Sequence, residues 1–359
     1  MLLGHEKISF LHLPTPLEYL ENMSAKLGIN LYIKRDDLTG LGTGGNKLRK
    51  LEYLLYDARQ KGCTMLLTMG GAQTNHGRLT AAVAAKYGMR CAIVCLDDYP
   101  GEVSANILLD RIMGAEVILK KSDGITPESE QYAPLIAELC KKYEAEGEKV
   151  YVIPVGGSNE LGILGYYECA MEITEQVKAL EAAGTLRARD GKAENVRIVT
   201  TVGSMGTYMG LFCGLKKEQS PLSLTGVSIS PTTAKGGPVL MNYLEKIKAF
   251  YGSALSCPAI DSVTAADFEI ETEYSFGAYN NPVPEVREAI YDMGRTEAII
   301  LDPCYTGKTF CAVKTMLREG KIKKGDTLIL LHTGGIPGIN TPAHRVEMEK
   351  ELVGGVTVL

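Results

Sequence analysis

No stretch of the 359 residues approaches the apolar length of a membrane-spanning helix, which argues against residence in a bilayer. There is no long basic run, and the formal net charge of -5 is spread over mixed acidic and basic residues. A phosphate backbone would find no electrostatic partner, so nucleic acid is discounted. The nine cysteines include no C-x-x-C pair and no histidine cluster accompanies them, so a metal site such as zinc gets no support. An odd number of scattered cysteines reads as buried or free thiols in a reducing compartment. The segment Met1 to Lys7 lacks the basic stretch and apolar run of a secretory signal, and the cytoplasm is the expected location. Internal repeats and low-complexity segments are also missing.

What is present is an ordinary globular composition, 45% hydrophobic and 23% charged, on a chain long enough for two domains with a cleft between them. Short apolar, β-branched runs recur at 64–68, 91–96, 116–119, 150–153, 197–201, 224–229, 298–301 and 327–331, and read as buried strands. Most alternate with helical patterns such as Asn75 to Tyr87 and Ser104 to Met113, which are followed by Gly88 and Gly114 where a left-handed cap is needed. Strand and helix in alternation predict an α/β protein with mostly parallel sheets.

Several predicted strands run into glycine-rich turns: Met69-Gly70-Gly71, Val155-Gly156-Gly157, Val202-Gly203-Ser204 and Thr333-Gly334-Gly335. Ligands of open α/β sheets bind at the C-terminal ends of strands, so these turns suggest several loops facing one ligand. The plainer alternative is four tight turns.

From Leu31 to Ala58 the pattern is a strand, an acidic turn at Arg35-Asp36-Asp37, a glycine-rich loop, and an amphipathic helix with Leu48, Leu51, Leu55 and Ala58 on one face. Lys47 and Lys50, three apart at the start of that helix, can project to the same side. Free amides at a helix N-terminus and two ammonium groups suit a phosphorylated ligand. A phosphate-loop nucleotide site is excluded, because Asn46 separates Gly45 from Lys47 and Leu48 stands where a magnesium-binding hydroxyl is needed. The later run Gly203 to Gly210 has the wrong glycine spacing for a dinucleotide fingerprint, and the following strand ends in no acidic residue. A solvated surface lysine is the remaining alternative.

The runs Ile33-Lys34-Arg35-Asp36-Asp37-Leu38 and Gly44-Gly45-Asn46-Lys47-Leu48-Arg49-Lys50-Leu51-Glu52-Tyr53 resemble the signature of the D-cysteine desulfhydrase and 1-aminocyclopropane-1-carboxylate deaminase family. The likeness continues through Gly70-Gly71-Ala72-Gln73-Thr74-Asn75-His76, Gly203 to Leu211, Asp302-Pro303-Cys304-Tyr305-Thr306-Gly307-Lys308 and His332-Thr333-Gly334-Gly335, over nearly the whole chain and in the family order. These are fold type II pyridoxal-phosphate enzymes, related to the tryptophan synthase β chain. The resemblance implies two three-layer α/β domains, a larger one at 1–50 plus 162–359 and a smaller one inserted at 51–161, with the cofactor in the cleft and a homodimer as the assembly.

It also implies roles. Lys47 would hold pyridoxal 5'-phosphate as a Schiff base, with Lys50 near the phosphate and Ser204, Met205, Gly206 and Thr207 as the phosphate cup. Asn75 would bond the phenolic oxygen of the cofactor, and Thr333 would face its ring nitrogen as a neutral partner. Thr74, Asn75 and His76 would take the substrate carboxylate, with Tyr279, Tyr305 and Thr306 also around the substrate. Lys47 is the expected proton carrier, with Thr74, Tyr305 and Tyr279 completing the catalytic set. Thr74 and Thr306 could instead simply start helices. The cyclopropane-opening deaminases carry glutamate where this chain has Thr306, which tilts the expectation to β-elimination on D-cysteine, giving pyruvate, ammonia and hydrogen sulfide. L-cysteate sulfo-lyase is the alternative, 1-aminocyclopropane-1-carboxylate deaminase the second, and a cofactor-binding protein without turnover the non-enzyme reading.

Overall fold

The computed structural model describes residues 1–96, 105–230 and 236–357. Ten strands are found among them: β1 (Leu17–Tyr19), β2 (Asn30–Lys34), β3 (Met65–Gly70), β4 (Arg90–Leu96), β5 (Glu116–Lys120), β6 (Val150–Ile153), β7 (Val196–Val202), β8 (Ser223–Ser228), β9 (Ile270–Glu271) and β10 (Thr327–Leu331). Helices α1 (Glu21–Leu27), α2 (Lys47–Gln60), α3 (Asn75–Lys86), α4 (Asn106–Ile112), α5 (Glu128–Ala145) and α6 (Leu164–Ala182) fall in the first half. The second half holds α7 (Gly206–Lys217), α8 (Gly237–Tyr251), α9 (Pro258–Asp261), α10 (Pro284–Glu297), α11 (Thr306–Arg318) and α12 (Pro342–Leu352).

The strands form two sheets. Six run in the order β1-β2-β10-β7-β8-β9, parallel except for the antiparallel edge strand β1, and four run in the order β5-β4-β3-β6, all parallel. The central strands are apolar on both faces because helices cover both: β10 reads Thr-Leu-Ile-Leu-Leu and is buried throughout. Register is set by those runs, with Thr327 opposite both Asn30 and Val196. Gly88 and Gly114 follow α3 and α4 at φ of 65° and 82°, the left-handed conformation expected of them.

One expected strand is absent. The segment 298–301 follows α10, whose last turn is closed by Ala298 at φ 57°, and joins no sheet among the described residues. The run Ala298 to Leu301 is apolar throughout and so reads as a buried strand, but Ile299 and Leu301 are buried without strand pairing and Ile300 is exposed. The expected helix start at Ser104 lies outside the described residues, and α4 is described from Asn106. β1 and β9, three and two residues long, are too short to leave a pattern in the sequence.

Helix α7 lies close against α6 along a face of glycines four apart. A Cβ on Gly210 would collide with the Ile163 carbonyl, and one on Gly214 would stand 2.8 Å from the Tyr167 carbonyl. Gly210, one of the glycines that failed as a dinucleotide fingerprint, is therefore a contact point between helices, and with Gly214 it sets where the N-terminus of α7 points.

Candidate active site

A cavity of about 460 Å³ opens where the C-terminal ends of β3, β6, β7, β8 and β10 converge, so both sheets wall one site. All four glycine-rich turns reach it, through Gly70 and Gly71, Val155 and Gly156, Gly203 and Ser204, and Thr333. Lys47, Thr74, His76, Tyr279 and Tyr305 line it as well. Met205 and Thr207 line the same wall as Ser204. Lys50, Asn75, Gly206 and Thr306, also expected at the site, are not among its lining residues.

Lys47 is the first residue of α2, and its Nζ donates to Asn46 Oδ1 at 2.9 Å. Its ammonium is pulled down to a pKa of about 8, by enclosure first, while Asp302 opposes and Arg78 reinforces the shift. About one Lys47 in ten is then a free amine at neutral pH, against fewer than roughly one in a thousand for an ordinary lysine. That fraction is what nucleophilic attack on an aldehyde requires.

The far side of α2 is clamped. Arg49 is fully buried and donates from Nε to Asp36 Oδ2 at 2.8 Å and from its terminal nitrogens to Asp36 Oδ1 at 2.9 Å and to both Glu172 oxygens at 3.0 Å. Tyr166 and Thr15 donate to the same Asp36, and Lys34 pairs with Glu172. Asp36 is held below the usual carboxylate range by Arg49 and Lys34 despite its burial. Each charge has an opposite partner and further hydrogen bonds, the condition under which buried charges are tolerated.

Lys50, one turn along α2, is buried and donates to the Gly156 carbonyl and the Ser158 hydroxyl, both at 3.1 Å. Burial and the nearby Lys47 push its pKa well down. A Cβ on Gly206 would stand 2.9 Å from Lys50 Nζ and collide with Ser158 Oγ, so the start of α7 meets Lys50 where only glycine fits. Ser158 and Ser204 hydroxyls bond at 2.7 Å, and Met205 at φ 65° turns the chain into α7. A buried lysine amine with neutral partners, which a nearby dianion would hold protonated, beside the open amides of a helix N-terminus and two hydroxyls, fits a phosphate. Asn46 Nδ2 donates to Thr207 Oγ1 at 3.0 Å, tying the lysine loop to this cup.

Thr74 caps α3, its hydroxyl oxygen accepting from Gly77 N at 3.3 Å, and its hydrogen stays available toward the cavity. Asn75 Oδ1 accepts from Asn106 Nδ2 at 2.9 Å, which leaves its amide nitrogen as the outward donor. Asn106 in turn accepts from Arg78 Nε at 2.8 Å, and Arg78 also reaches the carbonyls of Gly42 and Gly44. These partners lie far apart in sequence and gave no local signal. The ring of His76, as distinct from its main-chain amide, does not fit the carboxylate role given to this loop. Thr68 Oγ1 donates to the Ile153 carbonyl at 2.9 Å, so at its 2.7 Å contact with His76 Nε2 it must accept, and the one N–H of the neutral ring is committed there. Burial, reinforced by Lys47 and Lys50, keeps that ring neutral.

Tyr279 and Tyr305 face each other with ring centroids 5.6 Å apart and hydroxyls hydrogen-bonded, and Lys47 Nζ lies 5.9 Å from the centre of the Tyr305 ring. Withdrawal from water, then Cys304, lifts both phenols well above their ordinary value, so both keep their protons. Thr306 is the second correction. It is fully buried, and its hydroxyl donates to Asp302 Oδ1 at 2.7 Å while accepting from the Asp302 amide at 3.0 Å. Asp302 also accepts from the amides of Cys304, Tyr305 and Thr306, which fastens the start of α11 and with it Tyr305. An aspartate just ahead of a predicted helix start was the available signal for it. Glu128 at the cavity edge gave none.

An α/β fold with mostly parallel sheets, and at their shared strand ends a lysine of lowered pKa beside an anion cup, define a fold type II enzyme that uses pyridoxal 5'-phosphate. The chain belongs to the pyridoxal-phosphate dependent enzyme family, which it matches over residues 8–334. A protein of Pyrococcus abyssi, provisionally named 1-aminocyclopropane-1-carboxylate deaminase, is 36% identical over 333 residues, covering 93% of this chain and 92% of its own. The crystal structure of a homologue of that deaminase superposes with a TM-score of 0.76 at 34% identity, covering 94% of each chain. The processed form of threonine deaminase isoform 2 from Solanum lycopersicum has a TM-score of 0.62 at 18% identity, covering 96% of this chain and 84% of its own, and shares the fold.

Proposed function

We propose that the protein deaminates a small amino acid, with 1-aminocyclopropane-1-carboxylate now the first substrate to consider and D-cysteine the second. The observation that carries the reading is Lys47, with its pKa near 8, facing two protonated tyrosines across one cavity. When bound, the cofactor supplies the electron sink that makes the Cα bonds of an amino acid labile. Lys47 Nζ is the group that takes and returns a proton there, because it alone of the three titrates near neutrality. The Tyr279 and Tyr305 hydroxyls stay protonated and donate. The Thr74 hydroxyl and the Asn75 amide nitrogen are the donors oriented for a substrate carboxylate and the cofactor oxygen, and Lys50 with residues 204–207 holds the phosphate.

The preference for D-cysteine leaned on Thr306. Since its hydroxyl is tied to Asp302 and buried outside the cavity wall, the residue is a poor discriminator between substrates. The relatives named for the cyclopropane deaminase, at 36% and 34% identity, favour ring opening, in which substrate and water give 2-oxobutyrate and ammonia. L-cysteate is disfavoured, because its sulfonate calls for a further cation and the only charged group that the lining adds to Lys47 among the described residues is the carboxylate of Glu128. We place the protein in the cytoplasm, which its nine free thiols support, as a homodimer with the smaller domain at 51–161.

Purified protein should show the visible band of lysine-bound cofactor, and Lys47→Ala should lack it. A panel of 1-aminocyclopropane-1-carboxylate, D-cysteine, L-cysteine and L-cysteate, read as 2-oxobutyrate or pyruvate release, assigns the substrate. Ammonia from none of the four would overturn the proposal.

A further inference from the structure

Lys308 belongs to the same helix as Thr306 but has no part in the site described so far. It is fully buried on α11, three residues after Tyr305. Its Nζ donates to the carbonyl oxygens of Ile229 at 3.0 Å, Ser275 at 2.9 Å and Tyr279 at 3.1 Å, and to that of Ala278. No carboxylate is hydrogen-bonded to it among the described residues. Several main-chain carbonyls converging on one buried charge is the arrangement proteins use to replace the hydration shell of a monovalent cation.

Three of those carbonyls come from the segment 275–279, which has no helix or strand of its own. Two successive residues in it, Phe276 at φ 55° and Gly277 at φ 89°, adopt the left-handed conformation, which curls the segment onto the ammonium. Phenylalanine rarely adopts that backbone unaided. The fourth carbonyl, that of Ile229, lies just past the end of β8 and beside the cavity. The Tyr279 carbonyl accepts in addition from Cys304 Sγ at 2.9 Å.

We propose that Lys308 is a positioning residue: its ammonium serves as a built-in monovalent cation that gathers the carbonyls of 275–279 against the end of β8 and so holds the Tyr279 hydroxyl on Tyr305. The catalytic half of this inference rests on the tyrosine pair facing the substrate. The structural half does not.

The test therefore has two readouts on the cofactor-loaded enzyme, hydrogen exchange of residues 275–281 without substrate, and steady-state turnover. Lys308→Met keeps the length and removes the charge. It should speed exchange in that segment by about tenfold or more and lower kcat about tenfold or more, with the visible cofactor band unchanged. Lys308→Ala empties the cage. Potassium or ammonium should then restore protection and turnover, while lithium and choline at equal ionic strength should not. Unchanged exchange in Lys308→Met, or a loosened Lys308→Ala segment that is indifferent to every cation, would overturn the inference. So would a loosened segment with normal kcat on a true substrate. If no substrate is turned over, the function proposal fails and the exchange arm still decides the role of Lys308. Should Lys308→Ala not accumulate folded, refolding in potassium chloride against choline chloride decides: recovery in potassium alone supports it, and equal failure overturns it.

Discussion

At the scale of single residues the chemistry turns on where protons sit. Lys47 is the one group of the cavity held near pH 8, and the sign of its effect is fixed by the direction of the shift. Between pH of about 8 and 10.5 the folded chain binds fewer protons at this site than the unfolded chain, so this group's destabilising effect is full below about 8 and fades as pH rises. Cofactor capture by stripped protein should accordingly quicken about tenfold per unit as pH rises toward 8 and level off above it. Stopped-flow growth of the visible band measures this, and a rate still climbing steeply above pH 9 would show Lys47 to be an ordinary lysine. Lys47, Thr74 and Tyr305 each stand in a run that the sequence displays, whereas Tyr279 came from the resemblance alone, and all four line the cavity. The hydrogen-bond commitments of the His76 ring and of Thr306 were not legible there, since Thr68 and Ile153 lie outside the run around His76, and Asp302, though four residues from Thr306 and visible as a helix-start signal, does not by itself show where that hydroxyl points.

At the scale of elements, two of the helices that carry the site, α2 and α7, are each held from behind. Helix α2 is clamped by Arg49 between Asp36 and Glu172. Arg49→Met would leave Asp36 fully buried beside Tyr166 and Thr15 without its cation, and should cost about 3–5 kcal/mol of stability. A denaturant midpoint measures that cost, and Asp36→Asn in the same background should recover part of it. A loss below about 1 kcal/mol would mean the cluster is solvated and unimportant. Helix α7 is held by glycine contacts to α6. Gly210→Ala should shift the phosphate cup with the helix, weaken cofactor binding, and destabilise the protein by about 1–3 kcal/mol. Titration of stripped protein with pyridoxal 5'-phosphate reads the first effect, and wild-type affinity would show that α7 tolerates the methyl group. Most elements were visible as apolar runs alternating with helical stretches. The missing strand at 298–301 shows the limit, because a short apolar run reports burial and not hydrogen bonding to a neighbour.

At the scale of the whole molecule, one cavity is walled by strand ends from both sheets, so a ligand there should stabilise the chain as a unit. Cofactor at 100 times its dissociation constant should add about 2.7 kcal/mol and move a single unfolding transition upward. Calorimetry with and without cofactor checks this, and a profile in which only one of two transitions moved would contradict a site shared by both sheets. By itself the sequence determined the α/β class, the lysine loop, the exclusion of a phosphate-loop motif there and of a dinucleotide fingerprint at Gly203 to Gly210, and, through resemblance, the cofactor, because apolar periodicity and contiguous motifs are local properties of a chain. Only the tertiary structure decided that five strand ends share one cavity, that Arg49 and Asp302 brace the helices that bring Lys47 and Tyr305 to it, and that Thr306 spends its hydroxyl on Asp302 away from the cavity wall. The shared cavity and the Arg49 clamp depend on residues brought together across the chain by folding, and even for Asp302 and Thr306, four apart in one run, only the fold shows where the hydroxyl is spent.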